Sequence, residues 1–460
     1  MIDCLVARDA ADHATPVHLV DPDTLDGVLK RLGEAAVAYA RAAGFKAGAG
    51  ALLLVPGEGG LSAALFGLGR KGGAERTPFL PGTLATALPS GTYRLEGELE
   101  RPELAALAFA LSGYRFDRYR KAEPKDVRLI LPDGVDGAEV SRIAEGVRLA
   151  RDLVNTPAND LGPAELAEAA RTLAERHGAS VSVTEGERLE AEFPMVHAVG
   201  RASARAPRLV DLVWGDAQAP KVTLVGKGVC FDSGGLDIKP SNAMALMKKD
   251  MGGAAAVLGL AHMVMDAGLP VRLRVLIPAV ENMISGASFR TGDVLRSRKG
   301  LTVEIGNTDA EGRLILADAL ALADDEAPEL LVDLATLTGA ARVALGPDLP
   351  PFYTPDDRLA ADLAIQAEAS FDPLWRMPLW PAYDALLSSK IADVSHVSSA
   401  PMAGSITAAL FLKRFIEKAR AWVHFDVYAW NPKTLPGRPE GGEAQAIRAL
   451  YALLKARYLS

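Results

Sequence analysis

The chain has 460 residues, which is more than one hydrophobic core usually holds, so two domains are expected. It is 49% hydrophobic and 23% charged with a net charge of −8, an ordinary globular composition without the basic footprint of a nucleic-acid binder. No apolar run is long enough to span a bilayer, and Met1 to Ala10 carry acids and an arginine where a secretory signal needs an unbroken apolar stretch. No membrane association is expected, and a cytoplasmic location is the default.

Ala51 to Val55 and Val127 to Leu131 have the aliphatic character of strands and lie among helical stretches. They predict a smaller N-terminal α/β domain over residues 1–150. Ala138 to Leu153 has the spacing of an amphipathic helix, which Asn155-Thr156-Pro157-Ala158-Asn159-Asp160 breaks. A second helix is predicted over Leu161 to Arg176, with Pro163 suited to its first turn. Beyond the break, over residues 151–460, strands near 180–185, 208–214, 222–226, 271–278, 330–335 and 421–428 alternate with helices. That alternation predicts a larger C-terminal α/β/α layered domain with a mixed, mostly parallel sheet. Leu349 to Asp357 is expected to be a proline-rich loop.

Two cysteines, Cys4 and Cys230, make neither a disulfide framework nor a cysteine zinc site, and Cys230 is expected to pack as a small buried residue. The seven histidines are scattered and none falls in a His-Glu-x-x-His pattern, which excludes the common one-zinc peptidase signature. His424 lies in an apolar strand and suits a core or supporting role.

Chemistry concentrates at three places. Val222 to Val225 form a strand that runs into Gly226-Lys227-Gly228-Val229-Cys230-Phe231-Asp232-Ser233-Gly234-Gly235, whose four glycines suggest a loop. Gly226-Lys227-Gly228 lacks the spacing of a nucleotide-binding loop. Next come Lys239, and then Asp250 ahead of an apolar helix from Met251 to about Asp266, where a carboxylate could merely cap the helix. Finally, Asn307-Thr308-Asp309-Ala310-Glu311-Gly312-Arg313-Leu314 lies between a predicted strand, Leu301 to Ile305, and a predicted helix, Leu314 to Ala323. Two carboxylates two positions apart diverge on a helix but can converge in such a turn. Clustered carboxylates repel unless a cation neutralises them, and a divalent metal commonly does. Strand ends and helix starts are also where open α/β sheets gather ligands.

These motifs, GKGVCFDSGGLDIKPS at 226–241, MKKDMGGAAAV at 247–257, ENMISGASFRTGDV at 281–294, NTDAEGRL at 307–314 and DLATLTGA at 333–340, resemble the leucine (cytosol) aminopeptidases, which are di-metal exopeptidases. The resemblance covers roughly residues 145–460; Gly113 to Phe116 resembles a further family element. It implies that Asp232 and Glu311 bridge two divalent ions, with Asp309 completing one site and Lys227 and Asp250 the other. The ions would be Mn²⁺, Zn²⁺ or Mg²⁺. Lys227 would ligate as the neutral amine, whereas Lys239 would stay protonated and act as the electrophile. The metals would activate a water, and Arg313 would hold a bicarbonate as proton shuttle. An arginine beside a helix N-terminus suits an anion.

The resemblance also implies that Met247 and the Thr336, Leu337 and Gly339 segment contact the first residue of peptides with a free N-terminus. An apolar lining favours an uncharged side chain there. A homohexamer is the implied assembly. One departure stands out: after Asp426 the family has small residues, whereas this chain has Val427-Tyr428-Ala429-Trp430. Pro432 to Glu443 is also rich in proline and charge. A di-metal phosphoesterase and a non-catalytic binding protein are the alternatives; the first would act without a free amine, and the second would have no use for Lys239 and Arg313.

Overall fold

The computed structural model describes residues 4–7, 14–121 and 125–459. The chain divides into two compact units, Met1–Glu145 with Lys433–Glu440, and Gly146–Pro432 with Gly441–Ser460.

The first unit is built on a six-stranded sheet of Leu5–Val6 (β1), Thr15–Val20 (β2), Leu52–Gly57 (β3), Gly60–Gly67 (β4), Gly91–Glu96 (β5) and Val127–Ile130 (β6). Its order is β1-β6-β5-β2-β4-β3, and only the β3–β4 hairpin is antiparallel. β3 and β6 match the predicted strands. β2, β4 and β5 were not legible: β4 carries a run of small residues, Ser62-Ala63-Ala64, with weak strand propensity. The segment Lys433–Glu440 belongs to this unit although the sequence placed it in the C-terminal domain. Gly437 explains how it docks. Its main-chain N donates to Ser112 Oγ at 2.7 Å, and at φ 72° it leaves room for the Phe79 ring, which a Cβ would meet at 2.5 Å.

The second unit contains Ser180–Thr184 (β7), Arg208–Trp214 (β8), Lys221–Gly226 (β9), Gly228–Asp232 (β10), Arg272–Asn282 (β11), Val294–Arg296 (β12), Thr302–Glu304 (β13), Leu330–Ala335 (β14), Pro351–Tyr353 (β15), Trp375–Arg376 (β16), Val394–Ser395 (β17) and Trp422–Asp426 (β18). The large sheet runs β16-β15-β18-β14-β9-β11-β8-β7, with β10 added beside β11. Its central strands β18, β14, β9 and β11 are mutually parallel, and β8, β7 and β15 join antiparallel.

Helices cover both faces. Val225 packs into a core with Ile315 and Leu316 of the helix Glu311–Asp324. The next residue, Gly226, faces the helix Gly252–Asp266, where a Cβ would lie 2.6 Å from Ala254 Cα. Neighbouring residues of a strand point to opposite faces, so the two helices lie on opposite sides. The fold is therefore the expected layered α/β arrangement. Among the described residues, no helix is long and apolar enough to cross a membrane.

Two loop predictions are corrected. Gly228–Asp232 is a strand pairing parallel with β11. Its glycines serve close packing: a Cβ on Gly228 would lie 2.6 Å from Pro278 O. Only Gly234 (φ 87°) and Gly235 (φ 64°) make the turn that looked like a longer loop. The predicted loop at 349–357 likewise contains β15, paired with β18 through Phe352↔Phe425 and Tyr353↔His424. A proline as the first strand residue, Pro351, leaves that ladder intact.

Candidate metal centre

The parallel strands end side by side, and their carboxyl ends supply the centre. Lys227 follows β9, Asp232 ends β10, Asn282 ends β11, Thr336 follows β14 and Asp426 ends β18. Asp250 sits in the short 3-10 turn Met247–Met251 that leads into the helix Gly252–Asp266. Asp309 lies in the 3-10 turn Thr308–Ala310, and Glu311 and Arg313 open the helix Glu311–Asp324. The Asn307 side chain caps that turn by accepting from Asp309 N at 2.7 Å.

Two lysines divide the carboxylates between them. Lys227 Nζ lies 2.8 Å from Asp250 Oδ2 and 3.0 Å from Glu311 Oε1, and donates to Thr336 O at 2.8 Å. Lys239 Nζ lies 2.8 Å from Asp232 Oδ2 and 2.5 Å from Asp309 Oδ1. Asn282 was not singled out by sequence, although its motif was. Its Nδ2 donates to Asp232 Oδ1 at 2.9 Å and to Thr308 O at 3.1 Å, tying two motifs together. Thr336 Oγ1 donates to Asp250 Oδ1 at 2.7 Å.

The donor set fits a divalent cation. Oxygens of Asp232, Asp309 and Glu311 all lie within 4.8 Å of one another. That spacing suits ligands held at about 2.0–2.6 Å from a shared ion. Among the described residues, Asp250 Oδ2, Asp309 Oδ1 and Glu311 Oε1 are buried and have no hydrogen-bond partner, although a lysine Nζ lies 2.8, 3.0 and 2.5 Å from Asp250 Oδ2, Glu311 Oε1 and Asp309 Oδ1. Buried carboxylate oxygens without hydrogen bonds are costly unless a cation uses their lone pairs.

The electrostatics follow from that crowding. Burial, and then Glu311 and Asp250, push the Asp232 carboxyl well above the usual range. Burial lifts Asp250 to about 6 against the pull of Lys227. For Lys227, burial opposes the charge, but Asp250, Glu311 and Asp232 outweigh it and raise the pKa. Lys239 is raised in the same way, chiefly by Asp232 against burial.

Arg313 is buried, and its Nη1 donates to His396 O at 2.8 Å while, among the described residues, Nε has no hydrogen-bond partner. Burial lowers its pKa to about 10 despite Glu311. A buried, underpaired guanidinium at a helix N-terminus fits a small anion. His396, which the sequence did not flag, sits beneath this turn. Its Nδ1 accepts from Gly306 N at 3.2 Å, and its Nε2 faces Asn307 O at 2.9 Å. His424 is fully buried, with its Nδ1 2.5 Å from Asp333 Oδ1, a supporting rather than a ligating position. Cys230 is buried, as expected of a packing residue.

An open cleft of about 930 Å³ leads to the centre. Lys227, Asp232, Lys239, Asp250 and Asp309 reach its wall; Glu311 and Arg313 do not line it. Met247 and the whole segment Thr336 to Gly339 line it, together with Tyr428 and with Lys249 and Arg342, which the sequence did not place there. A hollow of about 1050 Å³ elsewhere carries charges already paired, such as Lys299 with Glu417 at 2.8 Å, and none of these residues.

Comparison with known proteins gives matches over both units of the chain. Residues 148–451 match the model of the cytosol aminopeptidase family catalytic domain, and residues 15–132 match the M17 aminopeptidase N-terminal domain. A probable cytosol aminopeptidase of Syntrophotalea carbinolica is 40% identical over 89% of this chain and 87% of its own. The crystal structure of cytosol aminopeptidase from Coxiella burnetii superposes with a TM-score of 0.94 at 47% identity, covering 99% of this chain and 100% of that one. The bottromycin maturation enzyme BotP in complex with Mn has a TM-score of 0.86 at 37% identity, covering 97% of this chain and 100% of that one.

Proposed function

This chain belongs to the cytosol aminopeptidase family and is a metal-dependent exopeptidase, and on that premise we propose how its own residues release the first amino acid of a peptide. The observation that carries the proposal is the convergence of the Asp232, Asp309 and Glu311 carboxylates at the inner end of an open cleft, with Lys239 between Asp232 and Asp309.

Asp232 and Glu311 are assigned as shared ligands of two divalent ions, Asp309 as a ligand of one, and Lys227 and Asp250 as ligands of the other. When bound there, such ions supply Lewis acidity that polarises the scissile carbonyl and lowers the pKa of a water. The mostly oxygen donor set suits Mn²⁺, and also Zn²⁺ or Mg²⁺.

Lys239 keeps its proton and stabilises the negative charge that grows on the carbonyl oxygen. Its raised pKa between Asp232 and Asp309 supports that role. Lys227 must do the opposite and give up its proton to ligate, because only the neutral amine has a lone pair. Arg313 is assigned to hold a bicarbonate, which when bound supplies a proton acceptor. Met247, Thr336, Leu337 and Gly339 are assigned to the first-residue pocket. A free α-amine can serve as a ligand, whereas a peptide nitrogen shares its lone pair with the carbonyl, so the centre selects chain ends.

The proposal extends to a cytoplasmic homohexamer. Light scattering at micromolar concentration checks the assembly, and a strictly monomeric, fully active enzyme refutes it. The activity is tested by hydrolysis of leucine p-nitroanilide with added Mn²⁺, before and after chelation, beside Asp309→Ala. Chelator-sensitive release that disappears in the variant is expected. If a panel of amino-acid amides is also left intact by the metal-loaded wild type, the proposal fails.

A further inference from the structure

We infer that the first-residue pocket takes an acidic side chain, because Lys249, Tyr428 and Arg342 form a cationic wall in the cleft; the inference rests on the aminopeptidase reading above.

Two adjacent lysines have different fates. Lys248 Nζ donates to Asn155 O at 2.7 Å and lies 5.6 Å from the Trp430 ring. Lys249 is only 6% exposed, yet it lines the cleft beside Asp250. Among the described residues, no hydrogen bond or ion pair reaches its Nζ. Its contact is the Tyr428 ring, with the centroid 4.5 Å away. A cation–π contact offsets part of the cost of burying an ammonium but leaves its donors unused.

Arg342 approaches the same ring, its Cζ 5.9 Å from the centroid. One nitrogen, Nη2, donates to the main-chain oxygen of Asp426 and lies 3.5 Å from Asp426 Oδ1. Its Nε and Nη1 are buried and, among the described residues, have no hydrogen-bond partner. The Asp426 carboxylate is largely committed elsewhere: it accepts from Leu337 N at 3.2 Å, Thr338 N at 3.3 Å and Thr338 Oγ1 at 2.5 Å. The wall therefore presents two cations with spare donors around one ring. Tyr428 holds this arrangement and also fills space that a small residue would leave open.

An uncharged first side chain, which the apolar Met247 and Leu337 suggested, would cover the Lys249 ammonium without pairing it. An aspartate or glutamate side chain would complete its hydrogen bonds with charge-assisted ones. Sites built to pair a polar substrate group discriminate strongly against analogues lacking it.

The test compares kcat/KM for aminoacyl-coumarin amides of Asp against Asn, and of Glu against Gln, in the Mn²⁺-loaded enzyme, with Leu as reference. At least one acidic substrate should exceed its amide by about tenfold or more. In Lys249→Met, which keeps the stem and removes the charge, that ratio should fall toward one. Acidic and amide substrates turned over equally beside an active Leu substrate would overturn the inference and leave the aminopeptidase reading intact. A preference that persists in Lys249→Met would overturn it as well. If no aminoacyl amide at all were cleaved, the aminopeptidase reading would fall, and this inference with it.

Discussion

Lys227 Nζ lies 2.8 Å from Asp250 Oδ2, although the two residues come from different elements, the end of β9 and the turn before the helix Gly252–Asp266. Paired directly, an ammonium and a carboxylate neutralise each other. To share a divalent ion instead, Lys227 must lose a proton that its three carboxylate neighbours hold firmly. Metal binding and lysine deprotonation are therefore one event in the proposed scheme.

That coupling is measurable. At pH 8 the Asp250 carboxyl, at about 6, is already ionised, so a proton released there on metal binding comes from Lys227 or from the raised Asp232 carboxyl, and a Lys227 variant separates the two. Calorimetric titration of the chelated enzyme with Mn²⁺, in buffers of differing ionisation enthalpy, should show release of about one proton per subunit. The release should vanish in Lys227→Gln. Heats independent of the buffer would exclude the lysine as a ligand.

Lys239 and Arg313 should separate kinetically. Lys239→Met removes a charge aimed at the transition state, so kcat should drop about 100-fold or more with KM little changed. Arg313→Gln should lose about 10- to 100-fold in kcat. Bicarbonate added to a degassed assay should raise the wild-type rate and leave that variant unaffected. An equal response of both proteins to bicarbonate would remove Arg313 from the proposed role.

Gly253 should tolerate no side chain. A Cβ there would lie 2.0 Å from Leu334 O and 2.9 Å from Lys227 N, both main-chain atoms. Gly253→Ala should cost about 3 kcal/mol or more and displace Lys227. Gly286→Ala, which meets nothing within 4 Å, is the control. Thermal unfolding checks both, and equal Tm values would contradict the packing described.

His396 should make the fold acid-sensitive. Burial, and then Arg313, depress its pKa to about 4. As pH falls from 6.5 toward 4, the unfolded chain takes up a proton that the folded chain refuses, so stability is lost in that window. The contribution is at most on the order of 3 kcal/mol. Tm measured from pH 7 to pH 4 should fall less steeply in His396→Asn than in wild type. Parallel curves would mean that other groups carry the acid response.

Local patterns carried most of the architecture. Lys221–Gly226, Arg272–Asn282 and Leu330–Ala335 contain short β-branched and aliphatic runs typical of buried strands, and Pro163 marked its helix start. The grouping of Asp309 and Glu311 at a strand-to-helix turn was legible from nearby residues, whereas the fuller ligand set with Asp232 and Asp250 came from the family resemblance. Where glycines had two physical uses, local inspection failed: Gly228 looked like a turn residue and is instead a close-packing position in β10.

The sequence by itself thus determined the layered α/β fold, the family and the identity of the charged residues. Only the tertiary structure decided which charges meet. Asn282 reaches Asp232 across 50 positions, His396 supports a turn about 90 positions away, and Arg342 and Lys249 converge on Tyr428. Such partnerships leave no periodic trace, because hydrogen bonds and ion pairs depend on distance in space, and the sheet order that sets those distances joins segments far apart in the chain.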